Sequence, residues 1–561
     1  MANLLSTTID GGLTEKSGTG IRPAGSTSSD LIQIAGNDDW LASGTSPNCV
    51  MTTCYHRAKN RIVAFFFDGS SQDAYGVAAE PTADCEDLDW GDYTVSGTSG
   101  DGFVMTDNHS GNACSYDREK EKILYAGSGH SPNRISTRVV DLDSVQHSNN
   151  RGITHGTEVT WAMPGLLSCC IGPEALIYVG DDAGASAGKH VLLYAHSANN
   201  LRAVVGTIGS GNTVDWNTPL TNYAVFGTTT GGGTNYEAGG CKVADNKIAV
   251  YWTDGSSEAW CRVGTVASGL ITFGTKVQLS ALSISSSMAP SATSNCYDIA
   301  SGKVVFAWWV SEEGEGQKLR ARIGTVSGTS ITLGTVYDVL AYASNTHGKV
   351  SLVYDESAQR SVIYYKRNDG GTVKLYTKVA TITGTDITFG TEKLVEAPTG
   401  SKTFERGPNT AFSYGCCSTY ISHADVKKTV VIRPGGNYAN ADGGYSKATM
   451  THLNKTTLTV DLSQGNFFEL DIDTHTGADG AIGTFTITES LSGSQTQTFF
   501  LKIIQGCAAK QFDWSSVTNI KWPASSGPTL STVNDAVDIF SFTTYDAGTT
   551  WHGETVGQNF S

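Results

Sequence analysis

Two short phrases each recur seven times along this chain, and a chain that repeats at that pitch stacks like units instead of closing one large core. The opening phrase is marked by Cys54-Tyr55, Cys114-Ser-Tyr-Asp117, Cys170, Cys241, Cys296, Val353-Tyr-Asp355 and Cys417, at intervals of 55 to 71 residues. The closing phrase is marked by Asp39-Trp40, Asp89-Trp90, Thr154-His155, Asp215-Trp216, Thr272-Phe273, Thr332-Leu333 and Thr388-Phe389, at intervals of 50 to 65 residues. Gly-Thr follows the closing phrase at 156–157, 274–275, 334–335 and 390–391.

One unit, Cys296 to Leu340, reads as four short strands. These are Cys296-Tyr-Asp298, Lys303–Val310, Lys318–Thr325 and a strand opening at Ile331, separated by Glu313–Gly316 and Ser327-Gly-Thr329. Runs rich in Val, Ile, Phe, Thr and Trp between Gly-rich joints are strand-and-hairpin chemistry. Four antiparallel strands joined by hairpins describe a propeller blade. The two series are also out of phase, because the first closing strand precedes the first opening strand and the last opening strand has no closing strand behind it. A ring resolves this offset if the N-terminal strand completes the last blade, which also hides sheet edges that would template aggregation. The expectation is a seven-bladed β-propeller over residues 1–445, with residues 31–44 beside 411–434. The competing arrangement, an open β-solenoid, needs no such offset.

By spacing, six of the twelve cysteines (54, 114, 170, 241, 296 and 417) occupy one repeat position. Neither CxxC spacing nor paired His accompanies them, so they read as small buried side chains on inner strands and not as a disulfide framework or metal ring. With 64 Gly and only 16% charged residues, and no long amphipathic helical pattern, the chain reads as all-β. The formal net charge of −16 is spread along the chain and repels phosphate backbones, so no nucleic-acid partner is expected. Met1-Ala-Asn-Leu-Leu-Ser lacks a signal-peptide pattern, and the longest apolar runs, 62–67 and 304–310, are strand-length. Neither secretion by a leader nor membrane insertion is therefore expected.

After Arg433-Pro-Gly-Gly436 and a Gly/Asn/Ala joint at 437–445 the texture changes, and residues 446–561 read as a second all-β domain. Alternating strands fall at 457–462, 467–472, 483–488, 498–504 and 536–542, which suggests a β-sandwich or jelly roll. The order Gly465–Leu470, Phe499–Gln505, Ile520-Lys-Trp-Pro523, Gly527-Pro-Thr-Leu530 and Asp538–Trp551, with Gly557-Gln558, resembles a C-terminal domain of tail-fibre and other structural proteins of marine bacteriophages. The resemblance covers about a fifth of the chain. It implies a virion protein made in the host cytoplasm, with other virion proteins as partners and homo-oligomerisation, often trimeric in fibres. It carries over no catalytic residue.

Chemical motifs are sparse. Thr544–Trp551 matches an Asp-box, in which the Asp ties a hairpin turn to backbone amides and the Trp plugs the core; both roles are structural. Asp84–Asp92, Asn437–Gly444 and Asp471-Ile-Asp473-Thr-His475 offer oxygen or imidazole ligands without EF-hand spacing, and read as solvated turns or a strand edge. His155 replaces an aromatic of its repeat and reads as packed. Trp161, Tyr223, Tyr236 and Trp260 are candidates for sugar stacking, each with a core role as the default. No catalytic, cofactor or metal residue is assigned, and the chain is not expected to be an enzyme. The expected function is a tail-fibre or receptor-binding component contacting a host glycan or protein. The alternatives are a head-fibre, decoration or tail-assembly part with the propeller as scaffold, and a propeller glycoside hydrolase or lyase.

Overall fold

The computed structural model describes most of residues 32–560. Residues 1–31, 40–51, 91–102, 143–152, 163–170, 181–187, 229–237, 281–292, 397–415, 436–444, 472–483 and 489–495, with several shorter joints, lie outside the description. Within it the chain is almost wholly β, with only short 3-10 turns.

Six sheets, each built from consecutive antiparallel strands, form the blades of a β-propeller. The first runs Thr52–His56, Arg61–Phe67, Ala74–Pro81 and Leu88–Trp90, and the fifth runs Thr293–Asp298, Lys303–Glu312, Gly316–Ser327 and Ser330–Ala343. In five of the six, a short extra strand pairs with the third. An additional sheet joins Cys417–Ile421, Lys428–Gly435 and Tyr445–Leu453 to the N-terminal strand Ile32–Asp39. The first strands of all these sheets adjoin one another in order, and Cys417–Ile421 touches both Val350–Asp355 and Thr52–His56. Residues 31–44 were expected directly beside 411–434, but Tyr445–Leu453 stands between them, its Ala448 opposite both Ile432 and Asp38. The sheet thus runs past the boundary read at residue 445, because this polar strand carries neither repeat phrase.

The closing phrase keeps strict register. Trp90, His155, Trp216, Phe273, Leu333 and Phe389 lie opposite Ala79, Val140, Gly206, Gly264, Gly324 and Ala380 on the third strands. Most of these third-strand residues are small because the bulky side chain lies across them: a Cβ on Gly206 would sit 2.5 Å from the Trp216 ring. The cysteine series does not keep register. Cys54, Cys241 and Cys296 face the third residue of their second strands, Cys114 the fourth and Cys417 the fifth; Cys170 lies outside the described residues. One residue of slip moves a side chain to the opposite face of a strand, so the shared position read from spacing does not hold.

Two other features recur without being signalled by the phrases. Every second strand in these seven sheets opens on Lys or Arg (61, 122, 189, 247, 303, 360 and 428). The residue after it faces a Tyr in six sheets: Tyr55, Tyr116, Tyr178, Tyr297, Tyr354 and Tyr420. Three of these hydroxyls accept from a backbone amide in the first turn of the preceding sheet, from Ala58 to Tyr116 (3.4 Å), Ala300 to Tyr354 (3.1 Å) and Ser357 to Tyr420 (3.1 Å). On the outer side, third-strand cations donate to outer-strand carbonyls of the preceding sheet. Arg262 reaches Phe226 at 3.0 Å, Arg322 reaches Leu279 at 3.2 Å and Lys378 reaches Val339 at 2.7 Å. Blades are therefore tied to their neighbours at both radii, around apolar layers that include fully buried Trp252, Trp308 and Trp309. Burying each such side chain contributes roughly 1.5–3 kcal/mol.

The C-terminal strands expected from alternation are present within one or two residues of the spans read: Thr457–Asp461, Phe467–Asp471, Thr484–Thr488, Gln497–Ile504 and Val537–Thr544. A five-stranded sheet holds Phe467–Asp471, Gln497–Ile504, Val537–Thr544, Trp551–Phe560 and Ile520–Lys521 in that order, and Thr457–Asp461 pairs with Thr484–Thr488 beside it. Phe499, Leu501, Ile503, Phe540, Phe542 and Trp551 share a core with Val460, on the two-residue period of a half-buried strand. Three of the pairings are parallel, which departs from the wholly antiparallel order of a jelly roll.

The Asp-box takes the structural role expected of it. Asp546 Oδ1 accepts from Thr544 Oγ1 and the Thr550 amide, both at 2.8 Å, and Trp551 is 1% exposed. The Thr550 amide, with the Thr544 hydroxyl, holds the Asp546 carboxyl below its usual range. Asp546→Ala should leave the fold intact and speed hydrogen exchange at the Thr550 amide; unchanged exchange would remove this role.

Candidate ligand cleft and neighbouring constellations

A cleft of about 530 Å³ lies between the fourth and fifth sheets. The outer strand Val277–Ser280 of the fourth sheet supplies Gln278 and Ser280. The fifth sheet supplies Trp308 from its second strand, Arg320 and Arg322 from its third, and Tyr337 and Asp338 from its fourth. Pairing shifts repeatedly between the third and fourth strands here, at Gln317–Leu319, Leu319–Arg320 and Arg322–Gly324. Such bulges re-aim side chains at a sheet edge.

Arg322 is committed to structure, since Nε donates to Gly334 O at 2.5 Å and Nη1 to Leu279 O. Arg320 Nε donates to Asp338 Oδ1 at 3.0 Å, and both residues line the cleft. The Tyr337 hydroxyl donates to Asp386 at 2.7 Å, and this bond raises its pKa. Trp308 closes the floor of the cleft fully buried, its indole N–H without a hydrogen-bond partner among the described residues. The cleft thus brings donors, acceptors and aromatic surface into one concavity, the composition of a small-molecule site. Other sheets place something else at the position of Arg320. In the third, Arg202 stacks 3.7 Å over Tyr223; in the fourth, Trp260 donates to Asp254 and receives Lys276 at 4.0 Å; in the sixth, Tyr376 lies under Arg367.

A second constellation imitates a nucleophile–base–acid triad. Ser115 Oγ lies 2.7 Å from His190 Nδ1, and His190 Nε2 lies 3.1 Å from Asp117 Oδ2. Ser115 is 8% exposed, and His190 and Asp117 are fully buried, so no substrate reaches a reacting atom. Burial raises the Asp117 carboxyl, but the His190 hydrogen bond and charge, with the Lys120 and Glu119 amides, carry it below the usual range. Asp298 does the same work three sheets further on: Oδ1 accepts from the Ser301 amide and Oδ2 from Ser361 of the next sheet. This Asp is a latch between blades. The repeated Tyr-Asp ending of the opening phrase was its sequence signal.

The sequence candidates disperse. Trp161 is 8% exposed and packs on Trp216 at 5.5 Å, its default core role. His155, expected to be packed, is exposed on its edge strand with Arg138 2.8 Å from Nδ1. Tyr236, most of Asp84–Asp92, Asn437–Gly444, and Asp473 and His475 lie outside the described residues. Among the described residues no three His, Cys, Asp or Glu side chains gather as a metal site, and no helix is long and apolar enough to cross a membrane. Sequence reading missed the cleft because its residues come from several strands of two sheets.

No family model and no curated protein matches the chain. Solved structures resemble it at low similarity. A mutant Aleuria aurantia lectin in complex with Fucα1-6GlcNAc is 12% identical over 64% of this chain and 100% of its own, with a TM-score of 0.37. A mutant NanB sialidase from Streptococcus pneumoniae is 10% identical over 74% of this chain and 70% of its own, also at 0.37. A periplasmic gluconolactonase from Pseudomonas aeruginosa is 8% identical over 64% and 90%, at 0.36.

Proposed function

We propose that this chain is a bacteriophage virion component that recognises a host-surface glycan through the cleft between the fourth and fifth sheets. The observation that carries the reading is the Arg320–Asp338 pair beside Tyr337, Trp308 and Gln278 in one concavity. A guanidinium next to a carboxylate matches a sugar's paired hydroxyls, which both accept and donate. The C-terminal motif order supports the virion assignment, with other virion proteins as partners and a homo-oligomer, trimeric in a fibre, as the expected state. Scaffolding without adhesion, as a head-fibre, decoration or tail-assembly part, is the second reading.

Recognition is favoured over hydrolysis because, among the described residues, Asp338 is the only carboxylate lining the cleft, whereas glycoside cleavage ordinarily needs two facing carboxyl groups. We further propose that the additional sheet serves as the seventh blade, with Ile32–Asp39 closing the ring, since its first strand lies between those of the sixth and first sheets. The test is binding of the purified chain to host-cell polysaccharide. Arg320→Ala should weaken binding at least about tenfold, the scale of one lost charged hydrogen bond, with no reducing sugar released. Equal binding by the variant would remove the cleft from the account, and sugar release would restore the hydrolase.

A further inference from the structure

The inner-strand cysteines of the first and second sheets face in different directions. Cys54, on Thr52–His56, lies opposite Val63, the third residue of its second strand, whereas Cys114, on His109–Asp117, lies opposite Tyr125, the fourth. That one residue of slip puts the two side chains on opposite faces of their own sheets. Cys241, Cys296 and Cys417 stand opposite third, third and fifth residues, and so share the facing of Cys54. Cysteines that look the same way round a ring are separated by a sheet. Cys114 instead looks back at the sheet before it.

Packing shows the result. Cys54 and Cys114 both lie in the apolar layer between the first two sheets, with Val63 and Phe65 from one and Ile123 and Tyr125 from the other. Thr52, two positions from Cys54 and on the same strand face, brings its Oγ1 within 3.4 Å of Cys114 Sγ. The thiols of Cys54 and Cys114 are themselves hydrogen-bonded. Both are free, and they are 8% and 7% exposed. Cys114 also lines a cavity of about 190 Å³ among the inner strands, which gives a small molecule room beside its sulfur.

We propose that Cys54 and Cys114 are an oxidisable pair that forms a disulfide between the first and second sheets on exposure to a small peroxide. The Cys114 sulfur attacks one peroxide oxygen and the O–O bond breaks, leaving a sulfenic acid and releasing water. The Cys54 sulfur then attacks the sulfenic sulfur. The S–S bond forms, the S–O bond breaks, and the hydroxyl leaves as water with the Cys54 proton. Two thiols and one peroxide thus give one disulfide and two waters. The bridge would close a loop of about 60 residues, a length at which a crosslink removes much of the unfolded chain's freedom. The inference does not depend on the glycan reading, as neither cysteine lines the cleft.

The test treats the reduced full chain with hydrogen peroxide under native conditions, alkylates the remaining thiols in denaturant and maps the peptides by mass. The peptides of residues 54 and 114 should be linked and two hydrogens lighter, with Cys296 alkylated. The Tm should rise by several degrees, and dithiothreitol should reverse the rise. Cys54→Ser should accumulate a sulfenic acid at Cys114 that dimedone traps, and Cys114→Ser should lose both the linkage and the Tm rise. Recovery of the two residues unlinked from wild type, or Cys54 linked to Cys417 instead, would overturn the pair.

Discussion

Gly274→Ala should destabilise the propeller by roughly 1–3 kcal/mol, the cost of overpacking, because the place of the new methyl group is already taken. A Cβ built on Gly274 would lie 1.8 Å from the Thr329 carbonyl oxygen in the third turn of the next sheet. That neighbour is backbone and cannot swing aside. Gly156 meets the Asn212 carbonyl at the same 1.8 Å, and Gly334 meets that of Thr385 at 3.2 Å. The Gly-Thr phrase behind the closing strands is thus an inter-blade contact, where one blade's edge lies against the next blade's hairpin. Gly211→Ala is the control, as nothing stands within 4 Å of its Cβ position. Thermal unfolding should place Gly274→Ala and Gly156→Ala well below wild type, Gly334→Ala between, and Gly211→Ala near wild type. Equal Tm for Gly274→Ala and Gly211→Ala would refute the contact.

Acid should weaken the fold through His56. This side chain is fully buried and its ring lies 4.8 Å from that of Tyr116. Burial pushes its imidazole from 6.5 down to about 4, the nearby backbone of Glu121 offsetting only part of that. The unfolded chain therefore takes up a proton near pH 6.5 while the folded chain refuses it until about pH 4. Stability from this residue is complete above pH 6.5 and declines as the pH falls through that window, by about 3 kcal/mol in all. Below about pH 4 both states are protonated and the contribution stays flat. His56→Leu should remove this part of the slope between pH 6.5 and 4, measured by denaturant unfolding at several pH values. A variant that keeps the wild-type slope would contradict the assignment.

His56 also explains what could be read from sequence and what could not. It occupies the place at the end of the first strand where Asp117, Asp298 and Asp355 stand in other sheets, each beside the second-strand cation at 122, 303 or 360. The repeat was legible because each unit must bury the same faces, and the bulky closing residues from Trp90 to Phe389 keep a single register against third-strand partners that are mostly Gly or Ala. Cysteine was a poorer marker. A small apolar side chain is tolerated on either face of an inner strand, and the series slips by one and two residues at Cys114 and Cys417. The seam at Tyr445–Leu453 was illegible because a polar strand completed from the far end of the chain carries no phrase of its own. The cleft was less legible still. Arg320, Asp338 and Gln278 acquire meaning only when two sheets meet, and spacing along one chain does not report that. The Asp-box, by contrast, is local, and its turn formed as its residue order implies.

The most direct test of the central claim is electron microscopy of phage particles labelled with an antibody to this chain, together with an adsorption assay. The account predicts label at the tail tip, and adsorption blocked both by the antibody and by excess wild-type chain but not by the Arg320→Ala variant. Label on the capsid or collar with adsorption unaffected, or no label on any particle, would contradict it.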